Sequence, residues 1–115
     1  MNIDDVRKIC KSFPSVTEDI KWGHDLCFNI GGKMFVVVGL DEAPVSVSFK
    51  VSDDNFDELR SREGFMPAPY LARHKWIHVD DIKRMSRKEL QQYTKQSYDL
   101  IKSKLPKKIL NQLHK

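Results

Sequence analysis

His24 and Asp25 are adjacent, the pairing that a general base and its orienting carboxylate would need, but no matched nucleophile can be named in the chain. His74 and His78 are four apart, so on an extended strand they would share one face with Trp76. There they would approach a metal if a neighbouring strand supplied a third ligand, and no such ligand is evident. Gly31-Gly32-Lys33 invites comparison with a phosphate loop, yet it lacks the spaced first glycine and the Ser or Thr after the lysine. A turn between two strands is the better reading. Cys10 and Cys27 fall outside any CxxC or paired-ligand spacing and are expected to be buried, reduced packing residues. The expectation is a protein without a catalytic constellation, a metal site or a cofactor.

The elements that must position these residues belong to a chain of 115 residues, 40% hydrophobic and 31% charged. That is enough apolar content for one domain over 1–115 burying about two-thirds of its unfolded surface. No apolar run approaches the roughly 20 residues that span a bilayer, and the N-terminal residues lack the pattern of a secretory signal. A cytoplasmic location without membrane contact is the default expectation. Net charge is +4, unevenly placed: from Lys83 onward ten basic residues stand against two acids. Either a lysine-solvated helical face or a basic docking surface accounts for that bias.

Ile3, Val6, Ile9, Cys10 and Phe13 describe a helix stripe capped by Asn2 and ended by Pro14. A polar connection follows. Leu26, Phe28 and Ile30 alternate up to Gly31-Gly32, and Lys33 to Val38 resumes, which predicts a hairpin. Val45, Val47 and Phe49 alternate with Ser46, Ser48 and Lys50, a half-buried strand whose polar side should face solvent or a partner. Ser52 or Asp53 caps a short helix carrying Phe56 and Leu59, with Gly64 beyond it. The two prolines of Phe65-Met66-Pro67-Ala68-Pro69-Tyr70 argue for an extended loop, and Trp76-Ile77-His78-Val79 for a short strand. Ser86 with Glu89 makes a capping box for a helix to about Lys102 with Leu90, Tyr93, Ser97 and Ile101 inward. Leu105-Pro106 then opens a last short helix. The predicted fold class is α+β: an antiparallel sheet, made of a three-strand meander plus a later strand, with helices packed on one face.

Trp22-Gly23, Gly32-Lys33-Met34-Phe35, Phe49-Lys50, Pro67-Ala68-Pro69-Tyr70-Leu71, Trp76, Ser97-Tyr98 and Leu105-Pro106, in this order, resemble the MmcQ/YjbR family. The likeness runs from the first helix to Leu105-Pro106, and its pieces are individually short. It implies a fold like that of the bacterial frataxin homologue CyaY and DNA binding through a double-wing motif. A frataxin-like iron site would need an acidic first helix, whereas here Asp4 and Asp5 share that helix with Arg7, Lys8 and Lys11.

Nucleic-acid binding requires cations for phosphates and groups that stack on bases or reach their edges. Under the resemblance, Lys33, Lys50, Arg73, Lys75 and Arg87 are the expected phosphate contacts, with Trp76 as a stacking group. Against this, Trp22 and Trp76 read equally as packing residues, and Lys33 and Lys50 as charges that keep apolar strands soluble. The expected molecule is a non-catalytic monomer or weak homodimer that binds DNA. The alternative is a protein-interaction or small-ligand module, marked by an exposed apolar patch where a nucleic-acid binder would show a contiguous basic one.

Overall fold

The computed structural model describes residues 2–41, 43–69 and 71–113. In α1 (Ile3–Lys11), the Asn2 side chain accepts the Asp5 amide at 3.0 Å and the Asp5 carboxylate accepts the Asn2 amide at 2.9 Å. This reciprocal cap satisfies two donors that a helix start leaves open. The chain continues through β1 (Val16–Lys21), β2 (Asp25–Ile30), β3 (Lys33–Gly39), β4 (Ser46–Lys50), α2 (Asp53–Leu59) and β5 (Phe65–Pro67). It ends in β6 (Trp76–Val79), α3 (Arg87–Ser103) and α4 (Lys107–Leu113). Ser52 caps α2, and the Ser86–Glu89 capping box opens α3.

All strand pairs are antiparallel and form one six-stranded sheet in the order β1-β2-β3-β4-β6-β5. The expected meander and later strand are its four central strands. The two edge strands were not legible. β1 stands where a polar connection was expected; it buries no residue fully and leaves Ile20 52% exposed, so it carries no alternation to read. Backbone pairing with β2 holds it. β5 is three residues long, and its Pro67 sits where an edge strand tolerates a missing N–H.

Val6, Ile9, Leu26, Phe28, Val36, Val38, Phe49, Phe56, Ile77 and Leu90 join one buried cluster between the sheet and the helices, against which Ile109 and Leu110 of α4 also pack. A bulge in β3 sets its shape. Phe28 pairs with Val36 but Asn29 with Met34, so Phe35 is the extra residue. Phe35 and Val36 are both fully buried, and the Phe35 ring lies 5.4 Å from Tyr98 and 6.2 Å from Phe13.

Beside the bulge, α3 reaches into the sheet. The Ser97 hydroxyl accepts the Lys50 amide at 3.0 Å and donates to the Phe35 carbonyl at 2.5 Å, so one side chain bridges the next rung of β3 and β4. One residue on, the Tyr98 hydroxyl donates to the Pro14 carbonyl at 2.6 Å and ties α3 to the segment after α1. Gly31 and Gly32 close the β2–β3 hairpin with φ of 58° and 81°. A Cβ on Gly31 would meet Leu105 at 2.6 Å and Ile109 at 2.9 Å, so the hairpin lies flush against the start of α4.

The other side of the sheet departs from expectation. Register aligns Asp19, Cys27, Val37, Ser48, His78 and Met66 in one row across it. The polar side of β4 does not open to solvent: Ser46 is 2% and Lys50 8% exposed, and the Ser48 hydroxyl lies 2.9 Å from His78 Nδ1. The β5–β6 connection, carrying Ala68, Pro69 and Leu71, lies over part of this face. Tyr70 of the expected motif lies outside the described residues.

Replacing Ser97 by alanine leaves a buried amide and a buried carbonyl without their partner. Ser97→Ala is expected to lose about 2–3 kcal/mol with an unchanged urea m-value, measured by equilibrium urea unfolding.

Candidate nucleic-acid interface

At one end of the sheet, the β2–β3 hairpin, the C-terminal end of α3 and the turn before β6 surround a cavity of about 450 Å³. Its lining includes Lys33, Lys50, Lys104, His74 and Trp76, with Met34, Leu71, Ile101 and Leu105 as apolar walls, and no carboxylate among them. The bulge and the Ser97 bridge place Lys50 at the floor. Its ammonium donates to the His74 carbonyl. Burial holds that ammonium below the ordinary lysine value, and the charges of Lys104 and Lys75 push it further while Asp53 opposes them. Lys33 extends exposed from the hairpin, and Lys104 caps α3.

The six residues expected at a phosphate surface separate. Lys33, Lys50 and Trp76 come together, although Trp76 is 4% exposed and serves as a wall, so no face of its ring is open for stacking. Lys50, expected on an open polar edge, is likewise buried, because the β5–β6 connection crosses above it. Lys75 takes a left-handed conformation with φ of 64°, closing the 3-10 turn Ala72–His74, and its ammonium sits 5.0 Å from the Phe56 ring centre. Arg73 is exposed on that turn. Arg87 is apart: it opens α3, about 25 Å along the helix from Lys104, and pairs with Asp5 at 3.1 Å.

One contributor was missed. Lys104 has no local signature, because only the packing of Leu105 against the hairpin turns the end of α3 toward Lys33. A neighbouring cavity of about 520 Å³ opens on the sheet face away from the helices, lined by Trp22, Asp25, Met34, Val37, Ser48, Ala68, Pro69 and Leu71. Met34 and Leu71 line both cavities. Trp22, at the β1–β2 turn, is 66% exposed with φ of 55°.

The other candidates do not assemble. His74 belongs to the turn and not to β6, so it shares no strand face with His78. Among the described residues no group of three His, Cys, Asp or Glu side chains is placed to hold a metal. His24 Nε2 lies 3.8 Å from Asp25 Oδ1. Cys10 and Cys27 are free and buried as expected, and burial pushes both thiols up, away from the reactive thiolate. No helix among the described residues is long and apolar enough to cross a membrane.

The YjbR family model matches residues 11–100. This chain belongs to the YjbR family. The match takes in the hairpin, Lys50, Trp22 and Trp76 of this YjbR chain and stops short of Lys104. The crystal structure of Deinococcus radiodurans protein DR2400, described as a DUF419 family-model domain, superposes with a TM-score of 0.87 at 23% identity, covering 98% of this chain and 88% of that one. A Pseudomonas syringae protein superposes with a TM-score of 0.69 at 19% identity, covering 87% of this chain and 98% of that one. At such identities the likeness establishes the shared α+β fold and nothing further. No curated protein matches the chain.

Since the Lys50 proton is held less tightly in the folded state than in the unfolded chain, its charge costs stability below the folded value and the cost is relieved as pH rises through it. Lys50→Met is therefore expected to melt no lower than the parent at neutral pH, with any advantage shrinking toward pH 10 in a calorimetric series. A drop of several degrees at pH 7 would instead make the ammonium a structural cross-link.

Proposed function

We propose that this YjbR-family chain is a non-catalytic nucleic-acid-binding domain, engaging backbone phosphates at the lysine cavity. The gathering of three lysines in one cavity whose lining holds no carboxylate carries the reading. Elsewhere Arg7 pairs with Glu18, Lys21 with Asp19, Arg62 with Glu89, Arg84 with Asp80, Arg87 with Asp5 and Lys95 with Asp99, and the described cations left unpaired there, such as Lys8, Lys83 and Lys107, line no cavity with Lys33, Lys50 and Lys104. Lys33, Lys50 and Lys104 have no carboxylate partner among the described residues, and they share one cavity. Like charges held together without counter-ions favour an anion, and a phosphate backbone supplies several at regular spacing.

The large exposed apolar side chains, Ile20, Trp22 and Met66, divide between the β1 side and the opposite edge strand β5. That separation favours a nucleic-acid partner over a protein partner, which would need one continuous apolar patch. The DNA-binding label carried by the family resemblance agrees with this reading. Buried thiols held away from the thiolate form support binding without thiol catalysis.

Fluorescence anisotropy with labelled single-stranded and duplex DNA, at about 50 and 200 mM salt, tests the reading. Binding should weaken steeply with salt. Lys33→Glu and Lys104→Glu should each lower the log–log salt slope by about 0.7–0.9, while Arg87→Gln, whose parent side chain is already paired, should leave it unchanged. Absence of salt-dependent binding, or an equal loss in Arg87→Gln, would overturn it.

A further inference from the structure

Resting on the phosphate-binding reading, we infer that the cavity beside Trp22 receives one unpaired base of a single-stranded nucleic acid whose backbone lies on the lysine cavity. The two cavities adjoin, one on the sheet face away from the helices and the other around the hairpin end of the sheet, with Met34 and Leu71 as their common walls. Their chemistry is divided between them. One carries only cations among its charged groups, where phosphate belongs; the other is walled by apolar side chains with Asp25 as its one charged group and Ser48 as a hydroxyl. A carboxylate repels phosphate but accepts from the amino and ring N–H groups of a base.

The size of about 520 Å³ falls within the range of small-ligand sites. At its rim the Trp22 indole is 66% exposed, in a left-handed conformation with φ of 55° that a bulky residue seldom adopts. A tryptophan held outward by a strained turn presents an aromatic face for stacking, and such strain concentrates at binding sites. Bases stacked within a duplex cannot enter a cavity in a sheet face, so the occupant must come from a single strand. Among bases, guanine sets two adjacent N–H donors toward one carboxylate, whereas thymine presents a single donor flanked by carbonyls. A guanine in the single strand is therefore the preferred occupant.

The experiment titrates eight-nucleotide strands, all-thymine and with one central guanine, and a duplex of equal length, following both labelled-strand anisotropy and tryptophan fluorescence. Three results are expected: quenching by single strands and not by duplex that is absent in Trp22→Phe and so does not come from Trp76 in the lysine cavity, an affinity loss of about tenfold or more in Trp22→Ala for single strands alone, and loss of the guanine preference in Asp25→Asn with all-thymine binding retained. Quenching in the unaltered protein is independent of how the variants fold, and Trp22→Phe should restore most of the affinity. Salt-dependent binding of both strand types with no quenching and no effect of Trp22→Ala overturns the base site while leaving the lysine surface standing. No binding of any strand overturns both.

Discussion

The Ser97 hydroxyl is the contact on which the rest of this architecture leans. It takes the Lys50 amide and gives its proton to the Phe35 carbonyl, at the point where the bulge in β3 breaks the register. A bulge leaves backbone groups without ladder partners, and buried orphans cost about 1–3 kcal/mol each. With the hydroxyl inserted, the cost is avoided and α3 is fixed across two strands at once. Phe35 can then turn inward beside Val36 and meet Tyr98 and Phe13. The Tyr98 hydroxyl, one residue later, fastens the other side of α3 to Pro14.

From that anchor the lysine cavity follows by geometry. Lys50 ends β4 at the rung Ser97 bridges, so its side chain points from a fixed backbone. Gly31 allows the hairpin to approach Leu105 and Ile109 closely, which brings Lys33 over the end of α3 and next to Lys104. Each lysine therefore comes from a different element, and of the three Lys50 is the one held by burial and a hydrogen bond. Burying Lys50 beside other cations works against stability: burial first, and the charges of Lys104 and Lys75 after it, lower its proton affinity. Such a cost is often carried where function needs it.

Legibility in the sequence followed burial. α1 announced itself through an Asn2 cap and an apolar stripe, α3 through its capping box and stripe, and β2, β3 and β4 through alternation against the core. β1 buries nothing fully and β5 has three residues with a proline, so neither leaves a pattern, and both are held by neighbours that sequence alone does not show. At the site, Lys33 and Lys50 were visible as cations on strands, but the covering of Lys50 depends on the β5–β6 connection, which runs straight into Trp76 yet lies far from Lys50 in sequence. Arg87 was grouped with them because it is basic, and Asp5, brought beside it by the docking of α1 on α3, removes it from the group.

The separation of charge between the two adjoining cavities follows from the pairing register itself. Asp25 and Lys50 point to the same face, but Asp25 begins β2 at the Trp22 turn while Lys50 ends β4 at the opposite end, near the Gly31-Gly32 hairpin. Side chains of one face alternate along each strand, so a carboxylate and an ammonium fixed at opposite strand ends cannot meet to neutralise each other. Val37 and Met34 fill the distance between them with apolar surface. The face is thus polarised from a carboxylate beside an exposed indole to a cluster of ammonium groups. A ligand complementary to it must carry donors at one end and negative charge at the other, and a nucleotide unit of a single strand has that form.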